Sequence, residues 1–292
     1  MIDVSGKTKV FCVIGNPIEH SLSPIMHNAA FRHLNIDAVY VAFKVEEETL
    51  EDAVRGMRSL GICGMNVTTP HKTAIVKYLD ETDPAAKFVG AVNTVLNADG
   101  KLVGFNTDGV GALRALEENH VRPRGKRFLL LGAGGAGRAI AFQLAQEADE
   151  LIILNRDANK ARVLAEALRK RFNKKVVGES LSNNVLKDWI KNVDVLVNST
   201  SVGMHPHQNE TLIEKSLLRP ELTVMDIVYD PIETRLLKDA KSVGAKVIYG
   251  TEMLVFQGAA SFEIWFNRPA PVNVMREAIV ERLQARGLGL ER

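Results

Sequence analysis

The chain has 292 residues, 46% of them hydrophobic and 25% charged, with a formal net charge of +2. That is enough for two domains with sizeable cores, and a small charge with both signs interleaved speaks against a nucleic-acid partner. Two distant cysteines, Cys12 and Cys63, and an N-terminus without an apolar signal region point to a reducing cytoplasm, while no run approaches the roughly 18 apolar residues of a membrane span.

Residues 10–15 are a short apolar run ending in glycine, expected as a buried first strand. In the following loop, Ser23 before Pro24 has the form of a helix start, serine as N-cap and proline in the first position, and helical spacing continues over 25–34. Ser21 is left over by that capping scheme, and two hydroxyls at a helix N-terminus make a site for a carboxylate. A strand over 39–44 and an amphipathic helix over 50–60, stopped by Gly61, come next. Residues 64–72, GMNVTTPHK, read as a strand entering another helix, capped by Thr69 and opened by Pro70. This places Lys72 in a first turn, facing the positive end of the dipole. A solvated lysine there is a mild electrostatic fault, whereas a catalytic lysine gains a lowered pKa suited to proton transfer.

A further strand is expected over 90–95, then a hairpin turn at Asn97-Ala98-Asp99-Gly100 into residues 102–106. Asp108 either caps a linking helix over 110–119 or holds the ammonium of a nearby Lys72, the two titrating as a unit. The polar loop 121–126 is expected to mark a domain border.

The stretch 128–140, FLLLGAGGAGRAI, is a strand, a glycine turn and a helix. In it Gly132 serves the tight turn, Gly134 the close approach of backbone to a pyrophosphate, and Gly137 the packing of helix on strand. The helix N-terminus offers free N–H groups to the anion. A strand over 151–154 follows, and where an NAD site places an acidic residue this chain has Asn155-Arg156, with Lys160 further on. Guanidinium and ammonium there favour a 2′-phosphate and hence NADP, against which Asp157 is a dissenting charge.

Helix 160–172, strand 175–177, strand 193–198 opening into 199–204, strand 224–228 with its exit loop at Tyr229-Asp230-Pro231, and strand 246–249 continue the alternation. His205-Pro206-His207 lacks a third ligand, so no metal site is expected. Helical spacing resumes over 253–266, where Gln257 is a neutral polar side chain in need of a partner, and a terminal amphipathic helix covers 274–286.

With these residues in place the chain resembles the shikimate dehydrogenase family over nearly its whole length. The resemblance rests on Gly15-Asn16-Pro17 with Ser21-Leu22-Ser23-Pro24, Asn66-Val67-Thr68 with Pro70 and Lys72, and Gly90-Ala91-Val92-Asn93-Thr94. It rests equally on Asn106-Thr107-Asp108-Gly109, the glycine turn, Asn155-Arg156, residues 198–204 and Gln257-Gly258-Ala259. It implies an α/β fold of two domains with a cleft between them: an α/β substrate-binding catalytic domain from residues 1–109 and 251–292, and a Rossmann-type doubly wound NADP-binding domain from 110–250. A hinge near Val110 and Gly250 would close the cleft.

The implied reaction is reversible hydride transfer between NADPH and 3-dehydroshikimate, giving shikimate, a step of the shikimate pathway of aromatic amino-acid biosynthesis. By the resemblance Lys72 and Asp108 are the catalytic pair. Ser21 and Ser23 hold the substrate carboxylate, and Asn66, Thr68, Asn93, Tyr229 and Gln257 contact ring hydroxyls or the carboxylate end. Gly132, Gly134, Gly135, Ala136, Gly137, Asn155, Arg156, Lys160, Thr200, Gly250 and Met253 face the cofactor. A ketone reduction with a polyhydroxylated substrate suits these residues, since Lys72 can donate the proton and each neutral hydrogen-bond group can match a hydroxyl. The expected partner is a small-molecule substrate, with a homodimer left open, and neither nucleic acid nor membrane is expected. Two alternatives stand beside this reading: a quinate or dual quinate/shikimate dehydrogenase that also uses NAD, kept alive by Asp157, and a non-catalytic metabolite sensor, against which Lys72 and Asp108 argue.

Overall fold

The computed structural model describes residues 4–287. The chain divides into two compact units, Met1–Thr107 with Val255–Arg292, and Asp108–Leu254.

The first unit runs β1 (Lys9–Gly15), α1 (Ser23–His33), β2 (Ala38–Lys44), α2 (Leu50–Ser59), β3 (Gly64–Val67), β4 (Glu81–Thr82), α3 (Pro84–Val89), β5 (Thr94–Ala98) and β6 (Lys101–Phe105). Its sheet has the order β2-β1-β3-β5-β6-β4. The β2-β1-β3 part is parallel, and β5 runs antiparallel to both β3 and β6. One core cluster packs Ile14, Met65, Val67, Val95 and Leu102 of the sheet against Leu50, Val54 and Met57 of α2. Elsewhere in the unit Phe11, Phe31, Phe262, Trp265 and Phe266 form a chain of tilted and edge-on rings with centroids 4.6–6.2 Å apart. Full burial of one such large apolar side chain contributes about 1.5–3 kcal/mol, so these clusters hold the sheet together.

The second unit runs α4 (Asp108–Glu118), β7 (Arg127–Leu131), α5 (Gly135–Glu147), β8 (Glu150–Asn155), α6 (Ala158–Phe172), β9 (Lys175–Ser180), α7 (Asn183–Ile190), β10 (Val195–Asn198), β11 (Thr223–Asp226), α8 (Arg235–Ser242) and β12 (Lys246–Ile248). Helix α9 (Gly250–Phe266) starts in this unit and ends in the first, to which α10 (Val272–Gly287) also belongs. The strand order is β12-β11-β10-β7-β8-β9, and every pairing is parallel. Read from the other edge this is 3-2-1-4-5-6, the doubly wound order, with the switch point between β7 and β10. Residues 128–131 and 150–154 are buried without interruption, the mark of parallel strands covered on both faces.

Several local expectations give way to the tertiary structure. No helix begins at Thr69-Pro70: residues 69–73 form a turn, followed by a 3₁₀ stretch at Ala74–Tyr78. The His71 ring, 1% exposed, bonds through Nε2 to the Val45 carbonyl at 2.8 Å, and the Lys72 carbonyl accepts Val92 N–H at 2.8 Å. These long-range ties fix the segment in a shape a helix could not share. Lys72 therefore does not face a helix dipole. Residues 90–93 are not strand either, because Gly90 is the left-handed C-cap of α3, a helix opened by Asp83 as N-cap with Pro84 behind it. The loop 121–126 lies inside the second unit, and the division falls at Thr107/Asp108. Helix α4 is not a free linker, for Gly109 approaches α5 so closely that a Cβ there would lie 2.3 Å from the Ala139 carbonyl oxygen.

Candidate active site

In the second unit, β7 ends at Leu131 and Gly132 takes φ +103°, a left-handed conformation that side chains oppose. Its N–H donates to the Leu154 carbonyl at 2.8 Å, tying the turn to β8. Gly137 faces the turn at close quarters: a Cβ there would sit 2.4 Å from the Gly132 carbonyl oxygen and 2.7 Å from Ser199 Oγ. At Gly134 and Gly135 a Cβ would meet nothing within 4 Å. The glycine turn is thus crowded on the sheet side and open above the N-terminus of α5, the shape needed for backbone to approach a pyrophosphate.

Beside it lies a cavity of about 520 Å³ lined by Ala133, Gly134, Asn155, Arg156, Asp157 and Lys160. Asn155 organises this wall, its Oδ1 accepting Ala133 N–H at 3.1 Å and its Nδ2 donating to the Asp157 carbonyl at 3.0 Å. The Asp157 carboxylate is the N-cap of α6, accepting Asn159 N–H at 3.0 Å and Lys160 N–H at 3.3 Å. The apparent dissent of Asp157 thus has a structural use, one that also fills the anion-binding position of that helix end. The Arg156 and Lys160 side chains are exposed and remain to receive an anion.

At the neighbouring strand ends, Asn198 Oδ1 accepts both Thr200 N–H at 3.1 Å and Thr200 Oγ1–H at 2.7 Å. Ser199 Oγ donates to the Leu131 carbonyl at 2.6 Å. A Cβ on Gly250 would lie 2.3 Å from the Val228 carbonyl oxygen, so the start of α9 presses on the segment that leads to Tyr229. Met253 is buried in this unit, and Asp108 opens α4 at 5% exposure.

The first unit gathers the remaining polar residues. Ser23 is the first residue of α1 rather than its cap, no side chain caps that helix, and Ser21 Oγ accepts Ser23 N–H at 3.3 Å. The roles expected from the sequence are therefore exchanged: Ser21, not Ser23, uses its hydroxyl on the backbone. Asn66, 6% exposed, accepts Tyr40 Oη–H at 2.7 Å and turns its amide nitrogen to the Asn93 carbonyl (3.0 Å), Thr94 Oγ1 (3.1 Å) and Ser261 Oγ (3.0 Å). Two amide hydrogens meet three acceptors, so what Asn66 can still offer a ligand is a carbonyl lone pair. Asn93 Oδ1 accepts Thr107 N–H at 2.8 Å, and its Nδ2 lies 3.4 Å from Gln257 Oε1. Thr68 donates its N–H to the Ile14 carbonyl at 3.0 Å, which sets it at the end of β3 beside β1.

The structure therefore joins Asn66, Asn93 and Gln257 in one network, places Ser21, Ser23, Thr68 and Lys72 in the same unit, and puts Tyr229 and Asp108 in the other. Of the buried hydroxyls in the network, Thr94 and Thr107 lie in the motifs of the resemblance without a role of their own, while Tyr40 and Ser261 stand in no motif read from the sequence. The signal of Tyr40 and Ser261 is a lone hydroxyl in an otherwise apolar segment. Among the described residues no cluster of His, Cys, Asp and Glu is placed to hold a metal ion. Burial pushes the Cys12 thiol up to about 12, so it is an inert core group.

The family model for the shikimate dehydrogenase substrate binding domain matches residues 13–95, that for shikimate / quinate 5-dehydrogenase matches 115–235, and that for the shikimate 5′-dehydrogenase C-terminal domain matches 250–280. The chain is 48% identical to the shikimate dehydrogenase (NADP(+)) of Methanopyrus kandleri over 97% of this chain and 99% of the relative. A shikimate dehydrogenase crystallised in complex with NADP+ superposes with a TM-score of 0.90 at 45% identity, covering 96% of this chain and 97% of that one. The shikimate 5-dehydrogenase of Listeria monocytogenes, solved with shikimate and NAD, has a TM-score of 0.90 at 41% identity, covering 96% and 99%. The chain belongs to the shikimate dehydrogenase family.

Proposed function

We propose that this protein catalyses the reversible, NADPH-dependent reduction of 3-dehydroshikimate to shikimate. The observation that carries the cofactor half is the open glycine turn beside a cavity flanked by Arg156 and Lys160. The open backbone at Gly134 and Gly135 suits a pyrophosphate, and the two cations suit a 2′-phosphate. Gly132, Ala136, Gly137, Asn155, Thr200, Gly250 and Met253 complete the cofactor contacts in this reading. When bound, NADPH supplies the hydride. The chain's own work is to hold the ketone and to move one proton: Ser21 and Ser23 bind the carboxylate, and Asn66, Thr68, Asn93, Tyr229 and Gln257 contact ring hydroxyls or the carboxylate end. Lys72 Nζ gives its proton to the carbonyl oxygen as that oxygen becomes a hydroxyl, and Asp108 is its partner in proton transfer. In the reverse direction the same lysine, unprotonated, takes the hydroxyl proton. In this reading residues 1–109 and 251–292 are the catalytic domain and 110–250 the cofactor domain. The protein works in the cytoplasm, where two unpaired thiols persist. A homodimer is the assembly to examine by sedimentation equilibrium. No described helix is long and apolar enough to cross a membrane.

The test is turnover on shikimate and quinate with NADP and NAD in turn, followed by nicotinamide absorbance. Shikimate with NADP is expected to give the highest kcat/KM. A strong preference for quinate or for NAD overturns the corresponding assignment, and binding without turnover makes the protein a sensor.

The Asp157 cap sharpens the cofactor test. In Asp157→Ser the hydroxyl can still cap α6, but a negative charge leaves the cavity wall. KM for NADP is expected to fall about fivefold at low ionic strength, with KM for NAD nearly unchanged, and the gain should shrink in salt. An equal change for both cofactors would mean that Asp157 does not act through the phosphate.

A further inference from the structure

Asp226 closes β11 at the C-terminal edge of the parallel sheet, in register with Asn198 at the end of β10. Its side chain is 0% exposed, and it has three hydrogen-bond partners, one at the end of β10 and two in the loop between β11 and α8. Oδ1 accepts Asn198 Nδ2–H at 3.0 Å and Val228 N–H at 3.1 Å, while Oδ2 accepts Thr234 Oγ1–H at 2.7 Å. Thr234 is in turn the N-cap of α8, accepting Leu237 N–H at 3.3 Å, and Asn198 directs its other amide atom to the N–H and hydroxyl of Thr200.

We propose that Asp226 is a positioning residue for the cofactor: through Asn198 it fixes Thr200, and through Val228 and Thr234 it fixes the loop between β11 and α8. The inference rests on the reading of the second unit as the NADP-binding domain.

A merely structural tie does not require a charge in this place. Every hydrogen-bond partner recorded for the carboxylate is neutral, and burial pushes its pKa up to about 6 against the three hydrogen bonds that lower it. The ionised form is therefore held at a cost in desolvation. What the charge provides is a group made of acceptors alone. An asparagine amide would serve Asn198 and Val228 with its oxygen but turn a donor on Thr234, whose own proton would lose its acceptor. Convergence of three donors keeps the β10 and β11 exit loops in one arrangement at the edge where sheets of this order bind dinucleotides.

The experiment uses the full-length protein and measures KM for NADPH and for 3-dehydroshikimate separately, with thermal midpoints, in Asp226→Asn, Thr234→Val, Thr234→Ser and Arg156→Ala. Asp226→Asn is expected to raise KM for NADPH about five- to tenfold, the span one hydrogen bond supplies, with KM for 3-dehydroshikimate within about twofold of wild type. Thr234→Val should move in the same direction, and Thr234→Ser, which keeps the hydroxyl, should match wild type. If Asp226→Asn does not fold, the valine and serine pair decides the matter. A lowered midpoint with an unchanged KM for NADPH in the folded variants overturns the proposal and leaves Asp226 a structural tie. Arg156→Ala separates the two levels: if it too leaves KM for NADPH unchanged, the cofactor reading of this unit fails, and if it alone raises KM, only the role of Asp226 fails.

Discussion

Lys72→Ala is expected to lower kcat by about 10²- to 10⁴-fold, the range of a lost general acid or base, while shikimate still binds. The fold should survive the change. Lys72 is held in its turn by main-chain geometry, its carbonyl accepting Val92 N–H at 2.8 Å between a buried His71 and the 3₁₀ stretch, and alanine keeps all of it. The side chain itself is half-buried, in the same unit as the Asn66–Asn93–Gln257 network. Removing a group that acts only when the carbonyl oxygen gains its proton lowers kcat and kcat/KM together and leaves substrate affinity largely intact. The measurement is steady-state turnover in both directions beside shikimate binding by calorimetry. Near-normal turnover would remove Lys72 from the mechanism, and loss of binding with unchanged kcat would make it a substrate ligand instead.

The case for Lys72 also marks what could be read from the chain and what could not. Its residue type and the surrounding Asn-Val-Thr-Thr-Pro-His-Lys were legible, as were the strand–glycine–helix unit and the alternation that orders the parallel sheet. The helix expected from Thr69 and Pro70 does not form, because a capping signature is local and the force that overrules it, burial of His71 against Val45, spans 26 residues. Asp157 failed in the opposite way. Beside a phosphate site its charge is what stands out, although an aspartate ahead of apolar helical spacing is also a cap, and α6 starts at Ala158, two residues before the expected Lys160. Tyr40 and Ser261, the partners of Asn66, are beyond reach for a third reason. Asn66 meets Ser261 across 195 positions and Tyr40 across 26, and a single hydroxyl in an apolar strand or helix has no period by which to declare its partner.

The same unit holds a group that no reading of the sequence marked, and His27→Leu is expected to make the protein markedly more resistant to acid. His27 lies on α1 at 0% exposure, its ring stacked on Tyr40 at 4.5 Å and 12° and flanked by Trp265 at 5.2 Å. Neither ring nitrogen has a hydrogen-bond partner among the described residues, and burial pushes its pKa down to about 3. The unfolded chain binds a proton at His27 below about pH 6.5, whereas the folded chain binds it only near pH 3. Between those values the unfolded state carries the extra proton, so stability is complete above pH 6.5 and falls as the pH is lowered, by about 1.4 kcal/mol per unit. At pH 4.5 the loss is about 3 kcal/mol. Asp226 acts in the opposite sense: its folded pKa of about 6 lies above the value of 3.8, so between these it favours the folded state as pH falls. The acid profile of the wild type alone therefore mixes two opposed slopes, and the difference between wild type and His27→Leu isolates the imidazole. At pH 7.5 the two should lie within about 1–2 kcal/mol, since leucine removes two unsatisfied polar atoms but gives up the ring contact with Tyr40. Urea midpoints at pH 7.5 and 4.5 measure the difference at each value. A gap that grows by about 3 kcal/mol toward the lower pH, in favour of leucine, is the expected result, and a gap independent of pH would mean that His27 finds a partner for its proton in the folded protein.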